Sequence, residues 1–418
     1  MPTLTELDHR HAWHPFTQMQ EWMQTEPVII ESGAGAILRD VHGREYIDGN
    51  SSIWTNLHGH RHPTITQAIK DQLDRIAHSS FLGLTNVPAT QLAEKLAALT
   101  GLPRVFYSDD GSTAMEAAIK MAVQFWGGKR TKFVGFTGAY HGDTIGAVSV
   151  GGIDLFHKTF RSLTFDVIRV GRLEELPVGD DVAAVVIEPL IQGAAGMRLW
   201  PAGMLRELRT WCDRTGALLI ADEVLTGFGR TGKMFACEQE GVTPDIMAVA
   251  KGLTGGYLPL AATLTTAKIF DAFLGSYAEF KTFFHGHSYT GNALGCAAAL
   301  ANLRVFEEER TLEKLPALAE QLAAGLARIA KRPGVKEVRQ CGCIAAVEIG
   351  PYPIEQKMGF QVCDVMRQHG VLTRPIGNVI VLMPPYCVSP AQIEQIFTAL
   401  EAGLNAIRVS GTSAATLV

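Results

Sequence analysis

The sequence predicts an α/β protein with a mostly parallel central sheet flanked by helices, plus a smaller α+β domain built from both chain ends. Between about Asn50 and Asn302, short continuous apolar runs alternate with helical patterns, which is typical of a parallel sheet covered on both faces. After Asn302 the helices become more charged and the strands shorter, while residues 1–50 hold short strands and turns. We therefore predict an N-terminal segment over 1–50 that packs with the small domain, a large domain over 51–302 and a C-terminal small domain over 303–418.

Local patterns predict the individual elements. The stretch AILRDVHGREYIDG indicates a hairpin near the N-terminus. In the large domain the predicted strands are Val105–Tyr107, Lys132–Phe136, Val182–Ile187, Ala217–Ala221, Ile246–Ala250 and Leu260–Thr265, and the predicted helices are Ala114–Trp126 and Ala202–Thr215. In the small domain the predicted helices are Val305–Leu315, Leu318–Ala330, Phe360–His369 and Ala391–Ile407, and the predicted strands are Ala345–Ile349 and Val379–Met383.

Composition narrows the class of protein. The chain has 418 residues, of which 47% are hydrophobic and 19% charged, and this balance argues against a disordered chain. The net charge of −5 gives no indication of nucleic acid or an anionic membrane as partner. The N-terminus carries no signal-peptide core, and no apolar run reaches the roughly 18 residues of a membrane span. Seven scattered cysteines without disulfide spacing suit a reducing compartment, so we expect a cytoplasmic globular protein.

Two histidine and cysteine clusters raise the question of a metal site. The segment HGHRH places His58, His60 and His62 at alternating positions, and on a strand all three would share one face. No carboxylate or cysteine stands nearby in the sequence to complete a ligand set, and Cys341 and Cys343 are too close together for the usual zinc knuckle. We therefore predict packing roles for these histidines and no metal.

The ends of the predicted strands carry the candidate functional residues. Ligands of open parallel sheets bind outside the carboxyl ends of the strands. One strand ends in Lys251, with glycines directly after it, and another ends in Asp222. The segment Gly111–Thr113 leads from a strand into a helix, and a helix start of this kind can hold a phosphate. Tyr140 and Glu188 follow two further strands.

Each of these features alone also has an ordinary structural interpretation. Lys251 could extend to solvent from a strand end, Ser112 could be a helix N-cap, and Tyr140 could pack in the core. Taken together at one edge of a sheet, they match the chemistry of pyridoxal phosphate. The lysine amine forms a Schiff base with the aldehyde, the carboxylate keeps the ring nitrogen protonated, the helix start takes the phosphate, and the aromatic ring stacks on the cofactor.

At these residues the sequence resembles the class III aminotransferases of fold type I. The resemblance lies in LLIADEVLTGFGRTGKMFACE and DIMAVAKGLTGGYLP, with 29 positions from Asp222 to Lys251, and it covers nearly the whole chain. It implies that Lys251 is the Schiff-base lysine and Asp222 the partner of the pyridinium nitrogen. It also implies that Gly111 and Ser112 hold the phosphate and that Tyr140 stacks near the ring and meets the substrate.

Further site residues follow from the same resemblance. The segment FFHGHSYTGN matches one that reaches across a homodimer in this family. There Gly286 would contact substrate, and His287 and Ser288 would reach the phosphate bound by the neighbouring subunit. Trp54 aligns with a tryptophan that contacts substrate, and Arg374 with an arginine that binds a substrate carboxylate, for which the guanidinium geometry is well suited.

Four stretches indicate one subgroup within the class, which acts in biotin biosynthesis: WHPFTQM, SSIWTNLHGHRHP, GAYHGDTIGAVSVG and TRPIGNVIVLMPPY. This subgroup implies 8-amino-7-oxononanoate as amino acceptor, with its carboxylate on Arg374, and S-adenosylmethionine or L-lysine as donor. Two positions depart from the common pattern: Phe16 replaces a tyrosine in the substrate-binding region, and Ile53 replaces a second tryptophan beside Trp54. The stretches WHPFTQM and KTFFHGHSYTGN resemble the branch that uses L-lysine.

Other functions stay open at this point. A class III aminotransferase acting on ω-amino acids or diamines, or an aminomutase, would share the cofactor residues but not the pairing of WHPFTQM with TRPIG. A pyridoxal-phosphate-binding regulator without catalytic activity would carry an appended DNA-binding domain. The negative net charge and the lack of a basic helix-turn-helix pattern argue against that alternative.

Overall fold

The computed structural model of the chain describes residues 1–179 and 181–412. Its strands are β1 (Ile30–Ala34), β2 (Ile37–Asp40), β3 (Glu45–Asp48), β4 (Arg104–Ser108), β5 (Lys132–Phe136), β6 (Val167–Val170), β7 (Val182–Ile187), β8 (Ile191–Gln192), β9 (Arg198–Leu199), β10 (Leu218–Asp222), β11 (Ile246–Val249), β12 (Ala261–Thr265), β13 (Val335–Cys341), β14 (Ile344–Ile349), β15 (Val371–Leu372), β16 (Pro375–Ile376) and β17 (Val379–Leu382). Its α-helices are α1 (Leu4–His11), α2 (Met19–Trp22), α3 (Ser51–Trp54), α4 (Pro63–Leu73), α5 (Val87–Thr100), α6 (Gly111–Phe125), α7 (Ile145–Val150), α8 (Asp154–His157), α9 (Met204–Thr215), α10 (Ala267–Asp271), α11 (Ala293–Glu308), α12 (Thr311–Ile329), α13 (Met358–Gln368) and α14 (Pro390–Thr412).

A seven-stranded sheet forms the centre of the molecule, in the order β4-β12-β11-β10-β7-β5-β6. Its strands run parallel except β12, which is antiparallel to both β11 and β4. Strands β7, β10, β11 and β12 are buried along their whole length, which explains their continuous apolar runs. The predicted α/β class with a mostly parallel sheet is therefore confirmed.

Two smaller sheets are built from the two ends of the chain. Strands β2 and β3 form the predicted hairpin, with Ile37 opposite Ile47. Strand β3 then pairs in parallel with β15, which lies more than 300 residues later in the sequence. The other small sheet has the order β13-β14-β17-β16, and α12, α13 and α14 pack with it around a shared apolar core. The boundaries 1–50, 51–302 and 303–418 stay a prediction.

Several elements differ from the sequence-based assignments: the helix predicted over Leu318–Ala330 begins at Thr311, and α4, α5 and β13 were not predicted. The helix predicted over Val305–Leu315 is wrong, because α11 ends at Glu308 and α12 begins at Thr311, with Arg310 between them in the left-handed region at φ 53°. The apolar spacing continues across this break although Phe306 and Leu315 belong to different cores. Strand β6 was not predicted, because its four residues, VIRV, are only partly buried at the sheet edge.

Candidate active site

A cavity of about 750 Å³ lies at the carboxyl ends of the parallel strands of the central sheet. Asp109 follows β4, Tyr140 follows β5, Glu188 follows β7, Asp222 ends β10, and Lys251 follows β11. All five residues line the cavity. The structure thus brings the residues at these strand ends together, as expected for the ligand-binding edge of an open parallel sheet.

Lys251 sits in a strained backbone position at the floor of this cavity. It follows β11 and Ala250 at φ 42°, in the left-handed region that non-glycine residues seldom adopt. A Cβ atom on the next residue, Gly252, would lie 3.1 Å from Leu57 and 3.2 Å from Phe228, so this position has little room for a side chain. Burial lowers the pKa of the Lys251 amine, although the charges of Asp222 and Glu188 oppose that shift. A neutral, nucleophilic amine is thereby favoured.

Asp222 is buried, with 4% of its surface exposed, and both of its carboxylate oxygens are engaged. The N–H of Val224 donates to Oδ1 at 3.1 Å, and Oδ2 lies 2.7 Å from Nδ1 of His141, which is itself buried. Burial alone would lower the pKa of His141, but the hydrogen bond to Asp222 and the charge of that residue outweigh it and raise the pKa. The pairing therefore favours the protonated form of His141, which supports the carboxylate from behind. His141 lies in the stretch GAYHGDTIGAVSVG, and the sequence alone assigns it no role.

Glu188 joins two loops that border the cavity. Its carboxylate accepts the N–H of Tyr140 at 3.1 Å and the N–H of Gly193 at 2.9 Å, and 5% of the residue is exposed. Burial raises the pKa of Glu188 to about 7, with His141 opposing the shift and Asp222 adding to it. The sequence places Glu188 at a strand end but assigns it no function, because it does not show that the two carboxylate oxygens meet two separate loops.

We expect the stability of the cofactor-free protein to depend on pH through Glu188. Because the pKa in the folded state is about 7 and the ordinary value is 4.5, ionisation of this group opposes folding. Relative to Glu188→Gln, the unmodified protein should be most stable below the ordinary pKa of 4.5, should lose about 3 kcal/mol as the pH rises from 4.5 to about 7, and should lose little more above that. Urea unfolding of both proteins across this pH range, at one protein concentration, measures the difference. The exposed Glu207→Gln on α9 is the control, and parallel curves for Glu188→Gln and the unmodified protein would contradict the expectation.

The start of α6 is the candidate phosphate site. Asp110 is the N-cap and accepts the N–H of Thr113 at 2.9 Å, so the alternative interpretation of Ser112 as N-cap is wrong. The hydroxyl of Ser112 instead bonds with Thr144, both through the Thr144 hydroxyl at 2.8 Å and as acceptor of its N–H at 3.0 Å. The first-turn N–H groups of this 15-residue helix, including that of Gly111, have no partner within the helix. Because the Thr113 N–H is bound by Asp110, the N–H groups of Gly111 and Ser112 are the ones suited to bind an anion at the cavity wall.

Trp54 and Tyr140 form aromatic walls of the cavity. The Tyr140 hydroxyl donates to Asp143 at 2.7 Å, and its ring is stacked on His157 with an interplanar angle of 15°. Burial raises the pKa of Tyr140, so the phenol stays neutral. The indole N–H of Trp54 donates to Asn50 at 2.8 Å, and the Lys251 Nζ lies 4.9 Å from the centroid of the Trp54 ring.

Five further predicted site residues lie outside the walls of this cavity. Arg374 donates to the carbonyl of Phe16 at 2.7 Å, and Phe16 is 57% exposed. Gly286, His287 and Ser288 line a second cavity of about 470 Å³, and His287 reaches back to within 3.0 Å of Asp109. The structure thus pairs Arg374 with Phe16 and leaves the segment around Ser288 apart from the main cavity.

The three histidines of HGHRH turn toward separate partners. The segment is not a strand, and although the rings of His58 and His62 meet edge to face with centroids 6.0 Å apart, each of the three histidines has a further contact of its own. His58 is buried edge-on to Phe306, and burial lowers its pKa to about 3, whereas His60 bonds to Asp48 and His62 to Glu309. Within residues 1–179 and 181–412, no group of three or more His, Cys, Asp or Glu side chains is placed to hold a metal ion. None of the helices in that part of the chain is both long and apolar enough to cross a membrane.

Comparison with known proteins places this site in a family. The family described as Aminotransferase class-III matches residues 18–404, so the chain belongs to the class III aminotransferases. A relative from Geobacter sulfurreducens, an adenosylmethionine-8-amino-7-oxononanoate aminotransferase, is 50% identical over 97% of this chain and 98% of its own length. The crystal structure of the protein of that name from Methanocaldococcus jannaschii matches with a TM-score of 0.93 and 42% identity over 96% of this chain and 98% of its own. An amine transaminase from an uncultivated Pseudomonas species, in its PLP-bound form, matches with a TM-score of 0.90 and 33% identity over 95% and 98%.

The chain is a pyridoxal-phosphate-dependent aminotransferase. The cavity fits that cofactor on three observations made above. An amine whose pKa is lowered by burial projects from Lys251, a buried carboxylate supported by His141 is present at Asp222, and the first turn of α6 offers free N–H groups. These are the chemical groups needed to meet an aldehyde, a pyridine nitrogen and a phosphate.

Proposed function

We propose that this protein transfers an amino group to 8-amino-7-oxononanoate, giving 7,8-diaminononanoate, in biotin biosynthesis. It would then be an adenosylmethionine-8-amino-7-oxononanoate aminotransferase, also called 7,8-diaminopelargonate aminotransferase. The observation that carries the proposal is that relatives bearing this name are 41–50% identical over 94–98% of the chain. The amine transaminase resembles the chain at only 33% identity, so an ω-amino acid or diamine specificity is the weaker alternative.

The geometry suggests which residues hold the cofactor. Asp222, supported by His141, would meet the ring nitrogen, and the N–H groups of Gly111 and Ser112 would hold the phosphate. Tyr140 would lie against the ring, with its neutral hydroxyl fixed by Asp143. When bound, pyridoxal phosphate supplies an electron sink that stabilises negative charge at the carbon losing its proton.

Lys251 would carry the proton during transfer. Its amine, with a pKa lowered by burial, is suited to take the α-proton of the donor and then to return a proton as general acid. The Trp54 and Tyr140 walls limit the approach of water to that amine. Because donor and acceptor react in turn at the same cavity, the kinetics should be ping-pong.

Two half-reactions on purified protein test the proposal and identify the donor. S-adenosylmethionine and L-lysine are added separately, each without acceptor, while the visible absorption of the lysine-bound cofactor is followed. One donor is expected to bleach the band and 8-amino-7-oxononanoate to restore it. L-lysine is tested beside S-adenosylmethionine because Phe16 and Ile53 depart from the tyrosine and tryptophan of the common pattern in the substrate-binding region. If β-alanine, ornithine or 4-aminobutyrate bleaches the band and neither of these donors does, the alternative specificity replaces the proposal.

Arg374→Gln is expected to raise the KM for the oxo acid by about tenfold to a hundredfold, because a charge-assisted hydrogen bond to the carboxylate is lost. The value of kcat should change less, since Arg374 does not line the cavity around Lys251. Steady-state kinetics with varied oxo acid measure the split. Arg367→Gln, a surface arginine that pairs with Asp364 on α13, is the matched control. An unchanged KM in Arg374→Gln would remove this residue from the substrate site.

We further propose that the protein is a homodimer in which each subunit contributes to the other's site. The position of Gly286, His287 and Ser288 outside their own subunit's main cavity supports this, as do the exposed aromatic side chains of the same segment, Phe280, Phe284 and Tyr289. Sedimentation equilibrium that gave only the monomer mass would contradict it. A cytoplasmic location is part of the same proposal, and cell fractionation checks it.

A further inference from the structure

The short element α3, Ser51–Trp54, has the hydrogen-bond spacing of one helical turn, but its four non-glycine residues have left-handed dihedral angles, so it is a left-handed turn at the wall of the cavity. Ser51, Ser52, Ile53 and Trp54 have φ values of 48°, 48°, 63° and 70°. L-amino acids visit this region as single residues, and a run of them persists only where the surrounding structure enforces it. Local propensity therefore does not explain the turn.

Asp48 is the principal group that holds the turn. It ends β3 and is buried, with 3% of its surface exposed. One carboxylate oxygen accepts the N–H of Ser52 at 2.8 Å, and the other accepts the Ser52 hydroxyl at 2.8 Å and lies 2.9 Å from Nε2 of His60. Ser51 adds a hydrogen bond from its hydroxyl to the carbonyl of Met383 at 2.6 Å.

The far end of the turn is fixed by a second buried group. The guanidinium of Arg230 donates to the carbonyls of Trp54 at 3.3 Å and Asn56 at 3.0 Å. The backbone is thus held on both sides of the indole, whose own N–H is bound to Asn50. With backbone and indole both fixed, the ring faces Lys251, and its centroid lies 4.9 Å from the amine nitrogen.

We propose that the Ser51–Trp54 turn is a positioning device and that Asp48 is the positioning residue that sets the Trp54 indole against the Lys251 amine. An aromatic face at this distance stabilises a cationic amine and covers one side of it. The carboxylates of Asp222 and Glu188 and the imidazole of His141 also face the cavity, from β10, β7 and β5. None of these three groups is hydrogen-bonded to Asp48 or Ser52. Glu188 meets the turn through Gly193, whose N–H it accepts and which lies next to the Trp54 ring, so a change at Asp48 reaches the amine through Trp54.

The test measures the Lys251 amine directly in cofactor-free protein. Acetic anhydride labelling at a series of pH values, read by peptide mass spectrometry, gives the reactivity and the apparent pKa of that amine. Asp48→Asn leaves one acceptor oxygen in place of the two that bind the Ser52 N–H, the Ser52 hydroxyl and His60. In this variant labelling is expected to be several-fold faster and the apparent pKa to fall by about half a unit. Trp54→Ala should give the same change. The double variant should add nothing further, because both substitutions remove one interaction.

Two further variants keep the result decisive. Asp40→Asn removes another fully buried carboxylate of the N-terminal hairpin, bound to Arg44 and Tyr46, and should leave the labelling of Lys251 unchanged. Ser52→Ala, at an exposed side chain, removes one of the two bonds to Asp48 and should act in the same direction with a smaller change, even if Asp48→Asn fails to fold. Additive effects of Asp48→Asn and Trp54→Ala, or equal labelling in Ser52→Ala and the unmodified protein, would overturn the proposal. The inference rests on Lys251 being the reactive amine of the proposed function, but labelling uses neither cofactor nor substrate, so its failure is distinct from failure of the half-reactions.

Discussion

Replacing Lys251 with alanine is expected to lower transamination by about 10³-fold or more while leaving a folded protein. The loss follows because no other amine lines the cavity in the described part of the chain to carry the proton. The fold should survive, since alanine adopts the same left-handed backbone position and removes a cation whose burial is itself unfavourable. Turnover with either donor, together with the thermal unfolding midpoint, measures both parts of the expectation.

The matched control for this substitution is Lys233→Ala. Lys233 is exposed and donates to the carbonyl of Glu238, away from the cavity, so both turnover and covalent attachment of the cofactor should be retained. In Lys251→Ala the cofactor should no longer be fixed to the chain after borohydride reduction. Appreciable turnover in Lys251→Ala would end the assignment of this residue.

Asp222→Asn is expected to slow proton removal from the donor on the order of 10²-fold or more, because a negative charge next to the ring nitrogen is lost. The substitution preserves shape and can keep the hydrogen bond from the Val224 N–H. It removes the ionic partner of His141, so the pKa of that histidine should fall as burial dominates. Single-turnover kinetics with the donor measure the rate, and the imidazole resonances of His141 followed against pH measure the pKa.

Asp213→Asn provides the comparison for Asp222→Asn. Asp213 is exposed on α9 and pairs with Arg209 at the surface, so its loss should leave the single-turnover rate unchanged. An Asp222→Asn rate close to that of the unmodified protein would show that the ring nitrogen does not depend on this carboxylate.

Much of the fold and of the candidate site could be predicted because each depends on short stretches of sequence. Strand β7 is apolar at all six positions, and such a run predicts both a strand and its burial on both faces. Lys251 and Asp222 stand out because a charged residue at the end of a buried strand is costly without a partner. These signals are local. Because the carboxyl ends of parallel strands lie at one edge of the sheet, residues at those ends are expected to lie close together once the strands are predicted.

The rest depends on contacts between distant residues. The bond from His141 to Asp222 joins positions 81 residues apart, and the sequence gives no sign of which carboxylate this histidine meets. Ser112 was predicted to hold the phosphate, but the sequence does not show that its hydroxyl bonds to Thr144, in a loop 32 residues later. The left-handed turn at Trp54 contains no glycine, and is imposed by Asp48 and Arg230 against the local preference.

The pairing of β3 with β15 has a consequence for how the protein is made. Asp48 lies opposite Leu372, and the N–H of Met383 donates to the carbonyl of Gly49. Trp54 is therefore translated early, whereas Leu372 and Met383, which pair with the backbone before it, are translated only after most of the chain. Contacts of such long sequence separation form late. A nascent chain that stops before about residue 372 would contain Lys251 and Asp222 but would lack the strand that pairs with Asp48 next to the Trp54 turn.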